Sequence, residues 1–179
     1  MPTPAWLAAA RYRNRQFWHA LAARRHPIDP APAAAVLPPT LYALFERMSA
    51  EDRQHGLDVL ARLRAAGATA PALLQAGLLH DVGKAEAGVG LPHRVARVVL
   101  RRAAPPLWRW LAGCPTGWRR PFWAVANHPD RGAVWLDTAG AEPDVVALVR
   151  FHEREAPADW RGGPLAAWHA ALCTADAAC

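Results

Sequence analysis

Six side chains that can ligate a metal ion are spread along this 179-residue chain, and three of the separations between them are similar. The separation is 25 residues from His55 to His80, and 24 residues both from His128 to His152 and from His152 to Asp176. Asp81 directly follows His80 at the end of an apolar run. Imidazole nitrogens and carboxylate oxygens that converge on one point bind divalent cations. The pattern therefore predicts a metal site, provided that the intervening elements bring the six side chains together.

Each of these residues also has an ordinary structural interpretation. A single histidine on an apolar face is more commonly a hydrogen-bonded core residue than a ligand, and His80-Asp81 alone could be a salt pair that ends a helix near Gly83. The number of such residues on successive elements is what favours the metal interpretation. The remaining histidines are interpreted as structural; they are His19, His26, His93 and His169.

The elements that must position these residues are predicted to be helices. Apolar residues recur at helical spacing, and no stretch shows the alternation of a strand. Helices are predicted over residues 41–48, 49–66, 71–81, 92–102, 107–111, 119–140, 142–154 and 164–177, with a break or restart at Pro129. The predicted fold class is an all-α bundle of about eight helices.

The first 40 residues are predicted to stand apart from the main domain at 41–179. Residues 5–25 have the pattern of a basic amphipathic helix, which could lie on an anionic membrane or bind a partner but more commonly packs on the main body. Residues 26–39 are rich in proline and are predicted to form an extended connector, because proline fixes φ and removes a hydrogen-bond donor.

Composition indicates a globular protein. Hydrophobic residues make up 53% of the chain and charged residues 20%, and the net charge of +6 comes almost entirely from arginine. Such a charge favours the binding of anionic small molecules. Nucleic-acid binding is not inferred from it, because the high arginine content belongs to a general compositional bias of the chain toward Ala, Arg and Pro. Three cysteines without CxxC spacing indicate a reducing compartment and argue against a disulfide framework or a thiolate zinc site. We expect a cytoplasmic protein without a transmembrane segment.

The most specific feature of the chain is a resemblance to the HD-domain metal-dependent phosphohydrolases. His55, the stretch Leu78–Lys84 (Leu-Leu-His-Asp-Val-Gly-Lys) and the distant Asp176 resemble the H…HD…D signature of that family, in its HDIG variant. Residues 127–133 (Asn-His-Pro-Asp-Arg-Gly-Ala) resemble its mid-domain His-Pro-x-x-Gly segment. Residues 151–153 (Phe-His-Glu) resemble the His-His-Glu segment of members with two metals.

The resemblance covers about residues 45–178 and implies a set of ligands. A first divalent cation would be bound by His55, His80, Asp81 and Asp176. A second would share Asp81 and be held by His128 and His152. Phe151 stands where the family has the first histidine of its pair, so one site is the primary expectation and the second is possible. Manganese, iron, cobalt and magnesium all suit such ligands.

The activity implied by the resemblance is hydrolysis of a phosphomonoester or phosphodiester, for example a nucleotide, by a metal-activated water. Asp81 and Lys84 are the candidate catalytic residues, with Lys84 close enough to hold a phosphate oxygen, and Arg131 and Arg154 are further candidates for binding phosphate. The Gly-Tyr-Pro segment of the cyclic-di-GMP branch is absent after Glu153. The alternatives are a non-catalytic signalling or binding module on the same fold, and a di-iron oxidative enzyme.

Overall fold

The computed structural model describes residues 28–179, and the predicted N-terminal helix at 5–25 lies outside them. Within the described residues the chain forms nine α-helices and no strand, which confirms the prediction of an all-α bundle of about eight helices. The helices are α1 (Ala31–Ala34), α2 (Pro39–Glu46), α3 (Ala50–Ala65), α4 (Pro71–Leu79), α5 (Leu91–Ala103), α6 (Pro105–Ala112), α7 (Arg120–Thr138), α8 (Pro143–Phe151) and α9 (Pro164–Ala178). Short 3₁₀ turns cover Val82–Lys84, Gly117–Arg119 and Ala158–Trp160.

Helix α4 is the central element of the bundle. It is buried on almost every side, and α3, α8 and α9 all pack against it. A helix that is apolar on all sides packs in the interior of a protein. Pro71 lies in the first turn, where a backbone N–H has no acceptor within the helix, so its missing N–H costs no hydrogen bond. The carboxyl end of α4, where His80 and Asp81 lie, is therefore inside the protein.

The start of α3 follows the prediction from its sequence. Ser49 occupies the N-cap position, and its hydroxyl oxygen accepts a hydrogen bond from the backbone N–H of Asp52 at 3.1 Å. The same hydroxyl donates to the Asp52 carboxylate at 2.8 Å. This cap fixes the first turn of the helix that carries His55.

The prediction of an extended connector over residues 26–39 is wrong at Ala31–Ala34, which form the short helix α1. Pro32 falls in its first turn, where proline is tolerated. The driving force is burial, because Ala33 and Leu37 are both enclosed in the hydrophobic core. Local proline content is outweighed here by contact with the rest of the bundle.

The predicted break at Pro129 is also wrong, since α7 runs through it as one helix. Proline cannot donate to the carbonyl four residues earlier, which belongs to Val125. That carbonyl instead accepts a hydrogen bond from Nδ1 of His128 at 2.9 Å. The side chain thus replaces the missing backbone donor, and the helix continues.

No helix among residues 28–179 is long and apolar enough to cross a membrane.

Candidate metal centre

Three of the predicted ligands form a first group beside the end of α4. The group consists of His55 on α3, His80 and Asp176 on α9, and one potential ligand atom from each lies within 4.8 Å of the others. Oδ1 of Asp176 is 2.8 Å from Nε2 of His55 and 3.6 Å from Nε2 of His80. His80 is buried, whereas the side chains of His55 and Asp176 are 24% and 33% exposed. This group is therefore reachable from solvent.

A second group lies deeper and contains Asp81, His128 and His152. Oδ1 of Asp81 is 3.2 Å from Nε2 of His128, which is 3.1 Å from Nε2 of His152. All three side chains are buried. The second group can hold a metal ion with two nitrogen ligands and one oxygen ligand.

Asp81 connects the two groups. Its Oδ1 faces His128, and its Oδ2 lies 3.7 Å from Nε2 of His80 in the first group. The imidazole rings of His80 and His152 are also neighbours across the groups, with centroids 5.1 Å apart. One carboxylate with an oxygen toward each group is the arrangement that a bridging ligand requires.

The orientation of three histidines is fixed by backbone carbonyls. In each ring Nδ1 lies next to the carbonyl of the residue three positions earlier, and a carbonyl can only accept, so Nδ1 carries the proton. The bonds join His80 to Gly77 at 3.0 Å, His128 to Val125 at 2.9 Å and His152 to Val149 at 2.7 Å. These tautomers leave the Nε2 lone pair of each ring free to bind a metal.

These acceptor carbonyls are available for a structural reason. His80 and His152 follow the last residues of α4 and α8, where the final carbonyls of a helix have no intrahelical partner. In α7 the carbonyl of Val125 is released by Pro129. Helix ends and one proline thus select the tautomer that the site needs.

The close approach of α3 to α4 depends on Gly56. A Cβ at this position would lie 2.6 Å from the backbone carbonyl oxygen of Leu78, a contact that real side chains do not make. The glycine lets the two helices touch directly, and the rings of its neighbour His55 and of His80 come to 5.0 Å between centroids. A larger residue would separate the helices that carry the first group.

The electrostatic environment keeps the deep imidazoles neutral. Burial lowers the pKa of His152 to about 3, and the neighbouring rings of His80 and His128 act in the same direction. Burial and the Lys84 ammonium lower the pKa of His128. Neutral imidazole is the form that binds metals, so protons compete weakly for this group near pH 7.

The two carboxylates are held in their charged form. Burial alone would raise the pKa of Asp81, but the Lys84 ammonium and the rings of His80 and His128 keep it well below its ordinary value. Burial also opposes ionisation of Asp176, yet the hydrogen bond with His55 and the nearby His80 lower its pKa to about 2. Both groups are therefore anionic ligands at any physiological pH.

The depressed pKa of His152 predicts that the metal-free protein loses stability on mild acidification. An ordinary histidine in the unfolded chain takes up a proton as the pH falls below about 6.5, whereas folded His152 remains neutral. Stability is thus present above about pH 6.5 and falls toward pH 3, by about 2 kcal/mol between pH 7 and pH 5 from this residue. His55 acts in the opposite sense, because its pKa is raised by the bond with Asp176 against the effect of burial.

Urea unfolding of chelator-treated protein at pH 7 and pH 5 measures this loss. The matched variant is His152→Asn, whose amide N–H can replace the Nδ1 donor but cannot titrate. We expect a smaller difference between the two pH values in the variant than in the wild type. Equal differences in both proteins would contradict the assignment to His152.

The predicted phosphate-binding residues have different surroundings. Nζ of Lys84 lies 2.5 Å from Oδ2 of Asp81, and this side chain is only 11% exposed. Arg131 donates to the backbone carbonyl of Gly83 at 2.5 Å and stacks over two tryptophan rings. Arg154 pairs through both Nη atoms with the carboxylate of Asp130 at the surface. Lys84 thus touches the ligand set, whereas both arginines are engaged by other protein groups and their role in binding phosphate stays a prediction.

The sequence interpretation missed a second layer of charge around the centre. Glu153 lies with its Oε1 3.7 Å from Nε2 of His128 and pairs with Arg97. Arg94, one turn earlier on α5, pairs with the buried carboxylate of Asp52 at 2.7 Å. The spacing of three residues between Arg94 and Arg97 was visible in the sequence, but their acidic partners on α3 and after α8 were not.

The residues interpreted as structural behave as such where they are described. Nε2 of His169 donates to the backbone carbonyl of Phe151 at 3.0 Å, and Nδ1 of His93 accepts from the backbone N–H of Gly90 at 3.0 Å. Phe151 packs edge-on against the ring of Trp160, with centroids 5.4 Å apart. It belongs to the hydrophobic packing and adds no ligand to the centre.

Comparison with known proteins does not identify the chain. No protein-family model matches it, and neither a curated protein nor a solved structure is significantly similar to it.

Proposed function

We propose that this protein is a metal-dependent phosphohydrolase that cleaves a phosphomonoester or phosphodiester at the centre formed by the two ligand groups. The proposal combines the geometry of those groups with the resemblance to the HD-domain phosphohydrolases. His55, His80 and Asp176 would hold one divalent cation, His128 and His152 a second, and Asp81 would contribute to both.

The single observation that carries the proposal is the contact between His128 and His152. Both rings use Nδ1 to donate to a carbonyl, so their Nε2 atoms present lone pairs to each other across 3.1 Å. An oxygen of the anionic Asp81 lies 3.2 Å from the same atom of His128. Three acceptors at this separation repel one another unless a proton or cation lies among them. Since the pKa of both imidazoles is lowered, a metal ion is the better counterpart.

A divalent cation in such a site supplies a Lewis acid that lowers the pKa of bound water and neutralises charge on a phosphoryl group. The protein contributes position and access. The deep group is closed by the bundle, whereas the partial exposure of His55 and Asp176 leaves a side from which a phosphate ester and water can approach. Positive charge also lies beside the centre, because Arg97 pairs with Glu153, whose Oε1 is 3.7 Å from Nε2 of His128.

Metal analysis of the purified protein followed by a substrate panel tests the proposal. We expect at least one equivalent of bound divalent metal, with two equivalents if the deep group is also filled. Bis(p-nitrophenyl) phosphate, p-nitrophenyl phosphate and nucleotides separate diesterase from monoesterase activity. Hydrolysis of one class should disappear with a chelator and return with added manganese.

Two results would contradict the proposal. Metal-loaded protein without hydrolysis of any phosphate ester would favour the non-catalytic binding module. Two bound irons with oxygen consumption and no hydrolysis would favour the di-iron oxidative enzyme.

A further inference from the structure

Helix α5 is amphipathic, but its apolar side faces solvent. Val95, Val98 and Val99 follow one another at helical spacing, and they are 51%, 37% and 50% exposed. None of the residues of α5 is buried. The polar side of the helix faces the bundle instead, because Arg94 and Arg97 pair with Asp52 and Glu153. Such an inverted orientation leaves a stripe of aliphatic side chains without a partner within the described part of the chain.

The exposed apolar surface continues into the next elements. Helix α6 packs against α5 and exposes Leu107 and Trp110, and Trp118 on the following turn is 66% exposed. The Trp110 and Trp118 rings lie 5.8 Å apart. We define the α5–α6 face as Val95, Val98, Val99, Leu107, Trp110 and Trp118. In the described residues only one other large apolar side chain, Val134, is comparably exposed.

This face lies in the most cationic part of the chain. Residues 91–120 contain seven arginines and neither aspartate nor glutamate; the arginines are Arg94, Arg97, Arg101, Arg102, Arg109, Arg119 and Arg120. Arg101, Arg102 and Arg109 are exposed and make no ion pair within residues 28–179. The guanidinium of Arg119 stacks over the ring of Trp110 at 4.5 Å. Exposed valine, leucine and tryptophan among unpaired arginines match a surface with an apolar interior and anionic head groups.

We propose that the α5–α6 face docks the protein onto an anionic lipid bilayer. A second copy is a poor occupant, because it would bring the exposed Arg101, Arg102 and Arg109 against the same three arginines, with no acidic residue among residues 91–120 to pair with them. The N-terminal residues 1–27 are a poor occupant for the same reason, since they contain five arginines and no acidic residue. Nucleic acid would satisfy the arginines but would leave the three valines in water. The bilayer satisfies both, with tryptophan at the depth of the head groups.

Vesicle binding by the full-length protein tests this surface. We expect sedimentation with vesicles that contain phosphatidylglycerol, and little with phosphatidylcholine alone. Val95→Glu/Val99→Glu should weaken binding at least about tenfold, because it places two anions in the apolar stripe. Val134→Glu is the matched control, since Val134 is 56% exposed on α7. Circular dichroism and thermal unfolding verify that each variant is folded.

A second pair of variants tests the charge without altering the apolar stripe. Arg101→Glu/Arg102→Glu should also weaken binding at least about tenfold. Arg64→Glu/Arg161→Glu, at exposed positions elsewhere, makes the same change in net charge and should bind like the wild type.

Four results would overturn the proposal. The first is no binding of wild type to phosphatidylglycerol vesicles. The second is unchanged binding in both α5 variants, which would assign lipid binding to residues 1–27. The third is a dimer in light scattering that Val95→Glu/Val99→Glu dissociates. The fourth is binding to duplex DNA or RNA that exceeds vesicle binding at the same ionic strength.

Discussion

Replacement of Asp81 by asparagine should abolish metal retention and reduce hydrolysis on the order of a thousandfold or more. The side chain keeps its size but loses the charge that faces both ligand groups, with Oδ1 3.2 Å from His128 and Oδ2 3.7 Å from His80. It also leaves the largely buried ammonium of Lys84 without its anionic partner at 2.5 Å. A cation placed in either group would then face an uncompensated positive charge.

Metal analysis and kcat/KM for the best substrate of the panel measure this effect. Asp137→Asn is the matched control, because Asp137 is exposed on α7 and belongs to neither ligand group. We expect the control to keep both metal and activity. Full metal content together with full activity in Asp81→Asn would exclude the proposed centre.

Lys84→Met separates metal binding from phosphate binding within the same experiment. An ammonium cannot ligate a cation, so the variant should retain its metal, and the loss of one positive charge beside Asp81 should strengthen metal binding. Hydrolysis should fall roughly tenfold to a hundredfold through KM, kcat or both if Lys84 holds a phosphoryl oxygen. Wild-type kinetics would instead make Lys84 a structural partner of Asp81.

Residue types and spacing predicted that six ligand candidates would share one site, and the division of the six into two metal sites came from the resemblance to the HD-domain phosphohydrolases. Each of the six ligand candidates lies on a helix or within two residues of its carboxyl end, and the helices of a small bundle all share one interior. The structure brings His55, His80 and Asp176 together, and likewise Asp81, His128 and His152. What the sequence could not supply was the distance between the groups, because it depends on how closely the helices approach.

Helix α5 shows where a local pattern is misleading. An apolar stripe on a helix generally faces the core, whereas Val95 and Val99 face solvent. The cause is the ion pair of Arg94 with Asp52, a carboxylate that is buried on α3 and distant in sequence. A buried charge left without a partner is more costly than a few exposed valines, so the pairing sets the orientation of the helix.

Pro129 shows a similar dependence on a side chain. From the sequence alone, proline within a helical pattern predicts a break. Here the ring of His128 takes over the carbonyl that proline leaves free, at 2.9 Å. The same bond continues the helix and directs Nε2 of the histidine toward the centre. Helix propensities of single residues do not predict this effect.

Replacement of Gly83 by alanine should destabilise the protein by about 3 kcal/mol or more, which lowers Tm by roughly 10 °C in a domain of this size. A Cβ at Gly83 would lie 2.0 Å from the backbone carbonyl oxygen of His128 and 2.7 Å from the backbone nitrogen of Gly132. Both atoms belong to the backbone of α7, so no side-chain rotation can relieve the overlap. The 3₁₀ turn at Val82–Lys84 would have to move away from α7, and Asp81 would move with it.

Gly90→Ala is the matched control for this prediction. Its φ of −115° suits any residue, and the nearest atom to an added Cβ is the Cδ of Pro92 at 3.6 Å, an ordinary van der Waals contact. We expect Gly90→Ala to unfold within about 2 °C of the wild type. Gly83→Ala should in addition lose metal, because the distance between Asp81 and His128 depends on direct contact of the two backbones. Wild-type Tm and metal content in Gly83→Ala would show that the turn does not pack closely on α7. That result would also contradict the placement of Asp81 between the two ligand groups.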